Sequence, residues 1–118
     1  MHFHIGEINI ICTDIQRSLH FYHEVIGFAL VEEEGDAYHL RAGEAAILLL
    51  PAASGVAPDG PYCSYATFSI DLVVEDAREA ARYLREQGVF FERDWEPNQV
   101  NFFIRDPDGL VLEVIESA

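Results

Sequence analysis

An internal duplication is the feature that most constrains how this chain can fold. A strand-like stretch at residues 7–12 precedes Asp14 and a helical pattern, and the same order returns at residues 69–74 and Asp76. Residues 7 and 69 lie 62 positions apart, and so do Asp14 and Asp76. Two copies are too few for a solenoid, so we expect two modules that bury their sheets together.

Each half predicts a strand, a helix and then three strands. The first helix is predicted to begin at Thr13, which with Gln16 forms a capping-box pattern, and to end at Gly27. The second is predicted to follow Asp76 as its cap and to stop at Gly88. The six strands after the helices are predicted at residues 28–32, 38–41, 45–50, 89–93, 100–105 and 110–115.

These elements predict one α+β domain over residues 1–118, built from two βαβββ modules. Module one spans about residues 1–52 and module two about residues 62–118. A Pro- and Gly-rich linker at about residues 51–61 divides them, because these residue types repeatedly interrupt regular structure. Asp106-Pro107-Asp108-Gly109 predicts a tight turn between the last two strands.

The predicted strands have one apolar face and one face with a polar middle. Alternate residues share a face, so Ile8, Ile10 and their equivalents point toward the helices. A sheet face that only packed against other elements would be apolar, so a polar middle indicates a face that does more than pack. It carries Glu7, Asn9, Ser69, Asp71 and Glu113.

Composition limits the classes of molecule that the protein is expected to bind. Seven basic and 21 acidic residues give a net charge of −14, which argues against nucleic acid and anionic membranes and suits a cationic ligand. Cys12 and Cys63 are too few for a disulfide framework or a four-thiolate zinc site. The sequence contains neither a membrane-length apolar run nor a secretory signal pattern, which predicts a cytoplasmic protein.

Several motifs in this order resemble the vicinal oxygen chelate superfamily, which groups glyoxalase I, bleomycin-resistance proteins, fosfomycin-resistance transferases and extradiol dioxygenases. The motifs are Asp14-Ile15-Gln16-Arg17-Ser18, Phe21-Tyr22, Gly27-Phe28, Leu84-Arg85-Glu86-Gln87-Gly88 and Phe103-Ile104-Arg105-Asp106-Pro107-Asp108-Gly109, with Glu113 behind them. The resemblance implies paired βαβββ modules that curl as a mixed sheet around a ligand cavity. It also implies a homodimer.

The resemblance further implies four cavity positions where metal-dependent members place ligands. Here they hold Glu7, Leu48, Ser69 and Glu113, and only Glu113 matches the usual residue. Imidazole favours zinc, nickel and iron(II), and it is missing from the two places where the family commonly has histidine. We therefore expect no metal cofactor. The alternative is a divalent ion on Glu7 and Glu113, with Asp71 completing an all-oxygen set suited to magnesium, manganese or calcium.

For the other candidate ligand-binding residues, a structural role is the alternative to ligand binding. His39 lies mid-strand and lines the predicted cavity, or is a hydrogen-bonded structural histidine. Trp95 lies in the loop-like residues 94–99 and covers a ligand, although packing explains most of the aromatic residues, Tyr62 and Phe103 included. Glu32, Glu33 and Glu34 are interpreted as a solvated strand end.

Three functions remain open from the sequence. The first is a metal-independent protein that binds a small polar or cationic molecule, in the manner of bleomycin-resistance proteins. The second is a divalent-metal-dependent lyase or dioxygenase-type enzyme, in which the ion is a Lewis acid. The third is a metal-free isomerase or epimerase with Glu7 or Glu113 as the base.

Overall fold

The computed structural model describes residues 1–93 and 98–118. The chain forms two compact units, Met1–Val56 and Ala57–Ala118. Each unit holds one four-stranded sheet and follows the order strand, helix, strand, strand, strand. The predicted α+β class, with two βαβββ modules, is therefore confirmed.

The first unit is a mixed sheet with one helical segment. Strand β1 pairs in parallel with β4, and β4–β3 and β3–β2 are antiparallel, which gives the order β1-β4-β3-β2. The parallel pair requires a long crossover, which the helical segment begins. The elements are β1 (Ile8–Ile11), α1 (Ile15–Leu19), a π-helical segment (His20–Val25), β2 (Ala29–Glu34), β3 (Ala37–Ala42) and β4 (Ala45–Leu50).

The first helix differs from the prediction at its start. Its N-cap is Asp14, not Thr13, because an Asp14 carboxylate oxygen accepts from the Arg17 backbone N–H at 3.2 Å. The π-helical segment after α1 widens the last turns, and the Ile26 N–H donates to the Phe21 carbonyl five residues back. Gly27 then adopts φ +94°, a left-handed conformation that ends the helix as predicted.

Ser18 is the polar exception in the core beneath this helix. The residue is fully buried, and its hydroxyl has no hydrogen-bond partner among the residues that the structure describes. Ser18→Ala is therefore expected to raise the free energy of unfolding by about 1 kcal/mol, because it removes an unsatisfied buried group. Urea unfolding measures the change, and Ser54→Ala at an exposed site is the control. A destabilised Ser18→Ala would contradict the prediction.

The second unit repeats the architecture with a longer helix. Its sheet order is β5-β8-β7-β6, with β5 parallel to β8 and the other pairs antiparallel. The predicted strand at residues 89–93 was too long, since the strand spans only Phe90–Phe91, with one more hydrogen bond from the Glu92 N–H to the Phe103 carbonyl at 2.8 Å. The elements are β5 (Ile70–Val74), α2 (Ala77–Glu86), β6 (Phe90–Phe91), β7 (Asn101–Arg105) and β8 (Val111–Glu116).

The predicted signals for α2 are confirmed. The Asp76 carboxylate accepts from the Glu79 backbone N–H at 3.1 Å, and Gly88 has φ +77° just past the helix end. Ala77, Ala81 and Leu84 form its buried stripe.

Burial alternates along the central strands, so each sheet has one covered face and one open face. In β4, Ile47 and Leu49 are buried while Leu48 is half-buried, and β8 repeats this with Leu112 and Val114 around Glu113. No helix within residues 1–93 and 98–118 combines the length and apolar character that a bilayer crossing requires.

Candidate functional site

The open face of the first sheet carries four side chains in one row across its strands. Asn9 of β1 pairs with Leu48 of β4, Leu48 pairs with His39 of β3, and His39 pairs with Glu32 of β2. Three of these four positions are polar, and Asn9 and Glu32 are exposed. Three predicted site residues, Asn9, Leu48 and His39, therefore share one face of one unit.

His39 is held between two carboxylates on this face. Its Nδ1 lies 2.9 Å from a Glu7 oxygen, and its Nε2 lies 2.7 Å from a Glu34 oxygen. An imidazole can donate from both nitrogens only when it is protonated. The hydrogen bonds to Glu34 first and Glu7 second accordingly raise the pKa of His39 above its ordinary value of 6.5.

The raised pKa gives a pH prediction with a definite sign. Below pH 6.5 the imidazolium exists in folded and unfolded chains, so the stabilisation from both carboxylates is fully present. It is lost as the pH rises through the higher pKa of the folded protein. An NMR titration of the His39 ring should therefore give a midpoint above 6.5. Glu34→Gln should lower it more than Glu7→Gln, and an unchanged midpoint in both variants would contradict the assignment.

Sequence analysis missed Glu32 and Glu34 as neighbours of His39. Ligand atoms of Glu32, Glu34 and His39 all lie within 4.8 Å of one another, which is the spacing of a possible cation site. The sequence did contain a signal for this proximity. A two-residue turn at residues 35–36 pairs Glu34 with Ala37 and Glu32 with His39. A metal on His39 would have to displace a ring proton that the carboxylates stabilise, so rising pH would favour binding.

The open face of the second sheet combines carboxylates with an aromatic ring. Asp71 of β5 pairs with Glu113 of β8, and Glu113 pairs with Phe103 of β7. The Asn101 side-chain amide donates to Glu113 Oε2 at 2.9 Å and so fixes the carboxylate. Among the described residues, no hydrogen bond to Glu113 Oε1 is found. Phe102 is buried, whereas Phe103 is half-buried on the open face.

The segment at residues 57–69, here called the strap, brings a second ring to this face. The Tyr62 ring lies 4.7 Å from the Phe103 ring between centroids, and its hydroxyl lies 3.1 Å from Ser69 Oγ. Cys63 beside it adopts φ +70°, a strained conformation for a residue that is not glycine. A strained conformation of this kind persists only where surrounding contacts fix the chain. Here the contacts of the adjacent Tyr62 with Phe103 and Ser69 fix it.

Arg105 ties the strap to the sheet. Its guanidinium donates to the Gly60 carbonyl at 2.9 Å and to the Gly109 carbonyl at 2.8 Å, and it forms an ion pair with Glu92. The hydrogen bond from Arg105 lowers the pKa of the Glu92 carboxyl. At the other end of the strap the Ala57 N–H donates to the Asp108 carbonyl at 2.8 Å.

The donor set at the four family ligand positions does not fit a transition metal. Leu48 offers no donor atom, and Ser69 offers a hydroxyl that Tyr62 already engages. The Glu7 carboxylate is paired with His39 and the Glu113 carboxylate with Asn101. Catalytic metal sites in proteins generally use about three protein ligands with imidazole or thiolate among them.

The remaining site predictions stay predictions. Glu7 lies in the first unit and Glu113 in the second, so their joint action rests on the sequence argument. Asp71 and Glu113 are register neighbours, as an all-oxygen cluster would need. Trp95 lies outside the described residues.

Residues 4–114 match the family described as the Glyoxalase/Bleomycin resistance protein/Dioxygenase superfamily. The chain belongs to this family, and the resemblance seen in its motifs is confirmed.

Particular relatives differ in what they do. The chain is 24% identical to the glutathione transferase FosA of Serratia marcescens over 112 residues, which cover 93% of this chain and 78% of that protein. Listeria monocytogenes FosX, a fosfomycin resistance protein complexed with Mn(II) and sulfate, superposes with a TM-score of 0.77 at 13% identity, covering 100% of this chain and 93% of that chain. The lactoylglutathione lyase of Agrobacterium tumefaciens gives 0.69 at 19% identity, covering 97% and 93%. These two structures establish a shared fold.

Proposed function

We propose that this protein binds a small organic cation on the open face of its second sheet and needs no transition metal to do so. The observation that carries the proposal is the second open face, where Asp71 and Glu113 stand in register beside Phe103 under the Tyr62 ring. Carboxylates attract a cation, and aromatic faces hold it through their quadrupoles. The net charge of −14 adds a long-range attraction for the same ligand class.

The side chains divide the work of binding between them. Asn101 orients Glu113 through Oε2, so that Oε1 is directed to the ligand. Tyr62 and Phe103 supply flat apolar surface and exclude water from the ion pair, which strengthens the pair in the lower dielectric.

Calorimetric titration with a panel of basic drugs and metabolites, each beside a neutral analogue, tests the proposal. Glu113→Gln is expected to weaken binding of the cation that binds best by about tenfold, which corresponds to one charge-assisted contact. Glu44→Gln removes the same charge from an exposed turn of the first unit and should leave affinity unchanged. Failure of every cation in the panel, or equal affinity for cations and neutral analogues, would refute the proposal.

A divalent-metal-dependent enzyme is the second candidate, and the grouping of Glu32, Glu34 and His39 favours it. Chelator-free protein should be incubated with manganese or zinc at pH 8, where a neutral imidazole is more available. The proposed metal-free function predicts that ligand affinity does not change when either ion is added. Stoichiometric metal that ligand binding requires would replace the first proposal with the second.

A homodimer is also proposed, because the family resemblance implies one. Light scattering on the same preparation measures the molar mass, which is 13.3 kDa for one chain.

A further inference from the structure

The Phe103 ring on the second open face carries a cation from the chain itself. The guanidinium carbon of Arg93 lies 4.9 Å from the centroid of that ring. This distance falls within the range in which a cation is attracted by the negative face of an aromatic ring. The Tyr62 ring lies 4.7 Å from the same ring between centroids, so Phe103 contacts both a second aromatic group and a planar cation, and we call this ring the shelf.

The contact between Arg93 and Phe103 is one in which a ligand can replace Arg93. Arg93 is exposed, and it lies just beyond the short strand β6, so its side chain is not packed into the core. An exposed contact between a guanidinium and an aromatic ring is weak, about 0.5–1 kcal/mol. A ligand cation can therefore displace Arg93 without disturbing the sheet.

The neighbours of the shelf suit a guanidinium in particular. Glu113 is the register partner of Phe103, and its Oε2 is held by Asn101 at 2.9 Å. A guanidinium can stack flat on a ring while its edge donates to a carboxylate, because its donors lie in the plane of the group. A spherical ammonium offers no such plane.

We infer that Arg93 is a built-in competitor that occupies the place of the ligand's cationic group, and that the ligand carries a planar guanidinium or amidinium. This inference rests on the proposed function, since it names the ligand class of the same open face. It adds a residue that weakens binding, which the proposed function alone does not require.

The test compares two probes that differ in one group. Nα-acetyl-arginine amide carries a guanidinium, and Nα-acetyl-citrulline amide has a neutral urea of nearly the same shape. Arg93→Gln should bind the arginine probe about two- to fivefold more tightly than the unchanged protein, as expected when a competing contact of this size is removed. The citrulline probe should gain nothing.

Arg85→Gln is the matched control. Arg85 makes the same kind of contact at 4.8 Å, but with Phe91, which stacks on the buried Phe102. The control removes the same charge from the same unit and should not change affinity for either probe. Phe103→Leu, checked for folding by thermal denaturation, should abolish the preference for the arginine probe.

Each outcome decides between the two proposals. Equal gains in affinity for the arginine probe in Arg93→Gln and Arg85→Gln would indicate general charge repulsion. That result would overturn the inference that Arg93 competes with the ligand. No binding of the arginine probe to Arg93→Gln would also overturn it, while other cations that bind the unchanged protein would leave the proposed function standing. If the whole panel fails as well, the proposed function falls with it.

Discussion

Replacing Arg105 with alanine is expected to lower the free energy of unfolding by about 3 kcal/mol, the cost of leaving a largely buried charge without its partner. The side chains of Arg105 and Glu92 are only 15% and 12% exposed. The substitution also removes the donors to the Gly60 and Gly109 carbonyls. Urea unfolding followed by circular dichroism measures the loss.

Arg82→Ala provides the matched control. Arg82 also makes two short contacts to carboxylates, with Glu79 and Glu86 at 2.7 Å each, but its side chain is 59% exposed. Water and salt screen such a pair, so the midpoint of the urea transition should barely move. Equal midpoint shifts in Arg82→Ala and Arg105→Ala would show that burial does not govern these pairs.

The Arg105 effect should also depend on pH in a set direction. Because Arg105 lowers the pKa of Glu92 below its ordinary 4.5, the pair stabilises the protein fully above that value. The contribution disappears as the pH falls through the lower pKa of the folded state. The stability difference between Arg105→Ala and the unchanged protein should therefore shrink under acid conditions.

Asp106→Ala is expected to have the second large effect and to lower the free energy of unfolding by about 2 kcal/mol. The Asp106 side chain is nearly buried, and its Oδ1 accepts from the backbone N–H groups of Asp108 and Leu110 at 2.9 Å each. Removing the acceptor leaves both donors unpaired in the turn that joins β7 to β8. The same urea unfolding assay measures this loss.

Asp106→Asn separates the hydrogen bonds from the charge. Asparagine keeps one side-chain oxygen in the same position, so it should retain most of the stability. If the asparagine and alanine variants lose equal stability, the two backbone hydrogen bonds are not the cause.

Local signals in the sequence were sufficient for most of the fold. Asp76 and Gly88 mark the ends of α2 because caps and left-handed glycines act within one helical turn. Alternation along β1, β5 and β8 identified the covered face, since burial on one side imposes a period of two. The error at Thr13 arose because two adjacent residues, Thr13 and Asp14, can both cap, and contacts with Arg17 decide between them.

The candidate site was only partly predictable. His39 was placed on the polar face, but its bonds to Glu7 and Glu34 depend on register between strands, which a single strand pattern does not contain. The contacts of Phe103 with Tyr62 and Arg93 require segments about 10 and 40 positions away to converge on it. No local motif encodes such convergence.

The irregularity in β2 has an evolutionary consequence. Leu30 pairs with Leu40 and Glu32 pairs with His39, so Val31 is an extra residue opposite no partner of its own. A gene that lost this one codon could keep every other pair in the hairpin, including the alignment of Glu32 with His39. Alignments of homologous chains should therefore tolerate a single-residue gap at this point, while loss of Glu33, on the turn side, would move Glu32 out of register with His39.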